Sequence, residues 1–233
     1  MPREDTRSIE TRRRLLEAAG EVFAEQGFHH ATIQAICQRA GANIAAVHYH
    51  FSDKERLYRA VIEYADRCAN ESYPVDGLER PGATVEDRLR ARIQSFLLRL
   101  LDEGRPAWHG KLVAREMIEP TAALDDIVQE KVRATFAGFA ALVRELVGPE
   151  ASADTVRLCV QSILAQCVYY RQSRAIIARL FPDVPLGREQ VTPLAEHITR
   201  FSLAGIRQAA NSKQAAPRAE RAPQRRQAQR HSM

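Results

Sequence analysis

Four polar residues at helix-start positions, Thr32, Asn43, Ser52 and Asp53, fall within 22 residues of one another. They do more to constrain this chain than any other feature. Side chains of this kind accept hydrogen bonds from the first free backbone N–H groups of a helix, so each can begin one. Between them lie Ile33, Ile36, Cys37 and Ala40 at i, i+3, i+4 and i+7, then Gly41, then IAAVHYHF. The pattern predicts two helices of about two turns each and a longer one behind them. The Ser52…Glu55 pair fits a capping box for that longer helix. Its stripe is Leu57, Val61, Ile62 and Ala65. A preceding helix over 8–26 places Leu15, Ala19, Val22 and Phe23 on one face, and Gly27 ends it.

Two short helices joined near a glycine form a helix-turn-helix, whose second helix enters the DNA major groove by its N-terminal end. In 44–50 the inward side chain is Val47, followed by Phe51 at i+4. Ile44, Ala45 and His48 share the other face. An exposed isoleucine there suits thymine methyl groups, and Ala45 permits close approach.

The rest of the chain is also helical in pattern, over about 84–102, 106–118, 121–147, 153–180 and 188–209. Pro106, Pro120, Gly148-Pro149 and Pro182…Pro185 punctuate these segments. The fold expected is all-α. Its N-terminal helix-turn-helix domain occupies 1–73, with the motif at about 32–51. The joint PVDGLERPGA (74–83) leads to a larger helical domain, 84–210.

The formal charge of +5 comes from the end of the chain. Residues 211–233 hold Lys213, Arg218, Arg221, Arg225, Arg226 and Arg230 against Glu220, so 1–210 sum to zero. That tail, nearly free of large apolar residues, is expected to be disordered and to add nonspecific attraction to phosphates. Residues 1–58 carry eight basic and eight acidic side chains. Attraction to DNA must therefore come from local placement, with Arg3, Arg7, Arg12, Arg13 and Arg14 near the start.

No apolar run approaches a membrane span, and MPREDTRSIE lacks a signal-peptide core. A cytoplasmic protein without a membrane partner is expected. G-x-S-x-G, P-loop and H-E-x-x-H patterns are absent, which argues against an enzyme and leaves no call for a cofactor. His29, His30, Cys37, His48 and His50 crowd one region, which keeps a metal- or redox-responsive regulator as an alternative.

The stretch Thr32–Leu57 resembles the N-terminal domain of TetR-family transcriptional regulators. The shared features are the Thr-capped helix, Ala40-Gly41, the aromatic-rich helix ending Tyr49-His50-Phe51, and Lys54. Ala114-Arg115-Glu116-Met117-Ile118-Glu119-Pro120, Gln166–Arg171 and Asn43–Ala46 are similar to the CecR/YbiH-like branch. The resemblance implies DNA contacts at Thr32, Gln34, Asn43, Ile44, Ala45, His48, Tyr49, His50 and Lys54. Thr32 and Lys54 would hold phosphates. It also implies a homodimer built on the last two long helices, a double-stranded palindromic operator, and a small-molecule effector that releases a repressor. An activator without an inducer is the other sign of regulation. Trp108, Glu116, Met117, Phe136, Gln166, Tyr169 and Tyr170 are the expected walls of one effector cavity, with His109, Phe139, Arg115 and Arg171 near them.

Overall fold

Capping chemistry sets the helix boundaries of the first unit. In the computed structural model, which describes residues 2–73, 82–101, 108–185 and 187–214, every regular element is helical. Helix α1 runs Pro2–His30 with a kink at Gly27 (φ 79°). Thr32 caps α2 (Ile33–Ala40), its Oγ1 accepting from Ala35 N at 3.1 Å. Gly41 ends α2 in the left-handed region, φ 59°, which a side chain would strain. Asn43 caps α3 (Ile44–Phe51) through Ala46 N at 2.9 Å.

Helix α4 (Lys54–Ser72) is capped by Asp53, whose Oδ1 accepts from Arg56 N at 2.7 Å. Ser52 is therefore not the cap, and the Ser52…Glu55 box does not form. Ser52 instead makes the tight corner between α3 and α4, with φ 70°.

Helices α5 (Val85–Leu101), α8 (Arg133–Val147), α9 (Ala153–Gln172) and α11 (Val191–Gln214) pack into a second unit. Thr84 begins α5 with a reciprocal cap: its Oγ1 accepts from Asp87 N while Asp87 accepts from Thr84 N. Leu89, Ile93, Leu97, Phe139, Val143, Val160, Ile163, Cys167 and Ile198 fill the centre of this unit, all buried.

The helix expected over 153–180 breaks at Ser173 (φ −92°, ψ 10°), giving a separate α10 (Arg174–Leu180). The apolar period runs on through the break, so the sequence does not reveal it. Helix α11 continues four residues past 210. Most of the 74–83 joint and the tail beyond 214 lie outside the described residues.

Two short helices, α6 (His109–Glu116) and α7 (Ala123–Ile127), lie against the first unit. Trp108, Leu112 and Ala123 belong to the same buried core as Leu15, Phe23, Val47 and Leu57. From α7 the chain passes through a π-helical segment, Val128–Val132, directly into α8, which packs in the second core. Beside that segment Lys131 pairs with Asp66 of α4 at 3.1 Å. A continuous helical rod thus links the two cores.

Candidate nucleic-acid interface

Val47 is fully buried and Phe51 nearly so, which fixes α3 on α1, α2 and α4. The opposite face is then turned to solvent by helical geometry. Ile44 is 49% exposed and Tyr49 80%, with Ala45 and His48 also exposed. A large apolar side chain and a phenol held outward on a rigid two-turn helix form a surface that water does not favour and a base-lined groove does.

His48 has a second role that its sequence context did not signal. Its Nδ1 lies 2.7 Å from the carbonyl of Ser52, so a proton on Nδ1 closes the α3–α4 corner. His50 is half-buried, with its ring 4.9 Å from that of Tyr49. Burial first, and Arg12 second, push its pKa below the usual histidine range. Arg12 itself lies over the Phe51 ring at 5.3 Å.

Thr32, Gln34 and Asn43 are exposed along the same motif. Lys54 is half-buried: its Nζ donates to the His29 carbonyl at 3.3 Å and sits 4.7 Å from the Phe28 ring. Its charge is therefore held in place at the start of α4. Of the N-terminal arginines, Arg13 is engaged by Glu10 and Glu17 at 2.6 and 2.7 Å.

The seven expected effector contacts do not meet in one cavity. Trp108 is wedged against Gly20 of α1, where an added Cβ would lie 2.2 Å from its ring. It is a core residue of the first unit. Glu116 is 2% exposed, its carboxylate accepting from Tyr58 OH and from Thr121 N and Oγ1. Met117 is exposed. Phe136 lies half-buried against the second core. Gln166 donates to Ser202 at 3.3 Å in a shallow groove between α9 and α11. Tyr169 and Tyr170 line a different cleft at the far end of α9.

The residues near Trp108 hold α6 on α1. Arg115 donates from Nε to the Ala24 carbonyl (3.1 Å) and from Nη2 to the Glu25 carbonyl (2.8 Å). These are orphan acceptors where α1 kinks, so the guanidinium satisfies groups that the helix cannot. The one legible sign was Gly20, a glycine inside an apolar helix face, which marks a close approach.

Among the described residues, no group of three or more His, Cys, Asp or Glu side chains is placed to hold a metal ion. None of the described helices is long and apolar enough to cross a membrane.

Comparison with known proteins matches these two units separately. Residues 15–61 match the family described as bacterial regulatory proteins, tetR family. Residues 85–206, more than half of the chain, match the C-terminal domain of the HTH-type transcriptional dual regulator CecR. The chain is 26% identical to the dual regulator CecR of Shigella flexneri over 72% of its own length and 78% of the relative's. It is 33% identical to the regulator UidR of Escherichia coli K12, over 41% of this chain and half of that one. Among solved structures, HlyIIR, a hemolysin II transcriptional regulator, superimposes with a TM-score of 0.57 at 23% identity, covering 82% of this chain and 98% of that one. AibR, crystallised with isovaleryl coenzyme A and operator DNA, gives 0.59 at 18% identity, over 82% and 97%. CecR, UidR and HlyIIR are each named as transcriptional regulators. With its helix-turn-helix head and its matched C-terminal unit, the chain belongs to the TetR family of DNA-binding transcriptional regulators, in the group that carries a CecR-type C-terminal domain.

Proposed function

We propose that the chain is a cytoplasmic, ligand-responsive repressor that binds a palindromic operator as a homodimer and leaves it when a small molecule binds. The observation that carries the DNA half is the outward face of α3, Ile44, Ala45, His48 and Tyr49, held by buried Val47 and Phe51. Ile44 and Tyr49 meet base edges or the adjoining backbone. Thr32, Gln34, Asn43, His50 and Lys54 position the head on phosphates. One head reads one half-site, and half-sites about 34 Å apart call for two linked heads.

Exposed apolar side chains on the two last long helices support the dimer. Leu158 is 55% exposed on α9 and Phe201 65% on α11, on either side of the groove that holds Gln166. A patch of that kind on the outside of a packed unit fits a two-fold self-contact. The effector half draws on AibR, whose structure contains both an acyl coenzyme A and operator DNA. Coupling between the two sites requires the effector to prefer one head arrangement over another.

A second reading has its own support. The CecR relative is named a dual regulator, which favours activation at some promoters by the same head. For the redox alternative, burial raises the Cys37 and Cys159 thiols and pushes Cys167 up to about 12, which keeps them protonated and unreactive at neutral pH.

The test is binding of the purified chain to DNA flanking its own gene, with random DNA as competitor. Specific binding that Lys54→Ala weakens on every sequence, and Ile44→Ala weakens mainly on the preferred one, supports the assignment. Equal affinity for random and flanking DNA, unchanged by either substitution, sinks it for that region.

A further inference from the structure

A cleft of about 300 Å³ opens where the end of α5, the last turns of α9, α10 and the start of α11 converge. Its inner wall is apolar and closed: Leu101 and Ile177 are 4% and 6% exposed, and Leu194 packs beside them. The open side carries Tyr169, Phe181 and Val184, each about half exposed. Apolar side chains left in water are unremarkable when scattered. Gathered around a concavity, they are the form of a site for an apolar molecule.

The described lining residues include no Lys, Arg, Asp or Glu. An ionic group placed inside would be desolvated without a counter-charge from them. The polar side-chain groups of the lining residues are the hydroxyls of Tyr169 and Tyr170 and the amide of Gln190. Burial raises the Tyr170 phenol above its ordinary range, so it stays a neutral hydrogen-bond donor. The volume sits at the lower limit of small-molecule sites, which fits a ring system or a short hydrocarbon chain. The chain kinks at Ser173, and in the α10 that follows Ile177 is buried, with Phe181 and Val184 beyond it at the rim.

We propose that this cleft binds a small uncharged molecule, mostly hydrocarbon or aromatic carbon with one hydrogen-bonding group, and that α10 with the 181–185 turn is its cover. The inference rests on the ligand-responsive reading above and gives that reading a location. It lies apart from the filled centre of the second unit and from the α9–α11 groove. Leu101 and Tyr170 tie it to α5 and α9, so an occupant touches helices of the second core directly.

The probe is N-phenyl-1-naphthylamine, a neutral apolar fluorophore that brightens out of water, titrated into the full chain. A saturable rise in emission is expected. Val184→Trp, which fills the mouth, and Phe181→Ser, which removes the rim, should each weaken binding at least tenfold. Ile118→Ser, at an exposed apolar position outside the cleft, should leave binding unchanged. Absence of saturation overturns the proposal, as does saturation that neither cleft variant alters. A shift in oligomeric state caused by both variants would assign the face to a second copy of the chain and overturn it as well. Specific DNA binding is measured on the same preparation without probe. Its retention when the probe fails sinks the cleft alone, and its loss when the probe binds sinks the regulator reading alone.

Discussion

Tyr58 of α4 donates its phenolic hydrogen to the carboxylate of Glu116, at the end of α6, and both side chains are buried. The contact joins the helix behind the DNA-reading motif to the segment that leads toward the second unit. Thr121 adds two more donors to the same carboxylate, which makes the charge tolerable inside the protein. Tyr58→Phe should cost about 1–3 kcal/mol, because a buried acceptor loses a partner. Glu116→Ala should cost more, since it strands the Tyr58 hydroxyl and the Thr121 N–H together. Thermal unfolding followed by circular dichroism ranks the two, and equal small losses would mean the contact carries no energy.

Packing at Gly20 predicts a different kind of failure. A Cβ there would overlap the Trp108 ring, and the ring is held by the rest of the first core. Gly20→Ala should therefore destabilise by about 1–3 kcal/mol through overpacking. The chain has one tryptophan, so its emission reports this contact alone. A red shift in the folded variant is the expected sign. An unshifted spectrum would mean that the helix moves and the ring does not.

Acid should loosen the same region. Burial pushes the His109 pKa below its ordinary value, with Arg171 and Arg99 acting in the same direction and Asp66 opposing them. A folded-state pKa below the unfolded one means that the unfolded chain binds the proton more readily. The stability this group contributes is thus complete above about pH 6.5 and declines as pH falls from there toward the folded value. His109→Asn should flatten the fall in melting temperature between about pH 7.5 and 5.5. A slope identical to that of the unaltered chain would remove His109 as a source.

Neighbouring residues on α3 should separate reading from folding. Tyr49 is largely exposed, so Tyr49→Ala should change stability by less than about 0.5 kcal/mol. If it meets DNA as proposed, affinity should fall by about 1–3 kcal/mol. Val47→Ala should show the reverse order, with stability lost first. Fluorescence anisotropy on the flanking DNA, paired with thermal melts, gives both numbers for each variant.

Self-association is expected to depend on Phe201. Phe201→Glu places a charge on the proposed two-fold contact, while its exposure in the single chain leaves the fold intact. Sedimentation should move from dimer to monomer, and affinity for a two-half-site operator should fall with it.

How far the sequence carried depended on whether a signal was local. Thr32, Asn43 and Gly41 act on backbone groups within four residues, and each was legible in its role. Val47 and Phe51 were legible because a two-turn helix has only one way to bury both. Ser52 and Asp53 are adjacent candidates for one cap, and only the backbone geometry at the corner chooses Asp53. The expected effector residues are aromatic, polar or methionine side chains at helical spacing, a pattern that core residues also show. Trp108 and Glu116 meet their partners at Gly20 and Tyr58, which lie far away in the chain. Nothing in the spacing of 108–117 names those partners. Tyr169 and Tyr170 line a cleft with residues that follow the kink at Ser173, a break hidden by an unbroken apolar period.

The π-helical segment Val128–Val132 has a consequence for what this rod can become. Such a turn is equivalent to one residue inserted into an α-helix, and each α-helical residue winds the chain by about 100°. The Ala123–Ile127 face is committed to the first core and the Phe139–Val143 face to the second. The wide turn takes up the extra residue locally, so deleting one residue between them would restore regular α-helix and leave both faces on their cores, whereas one further insertion would turn a face by roughly that angle. The helix thus works as a shaft keyed at both ends, with a wide turn between them that stores one surplus residue without disturbing either key.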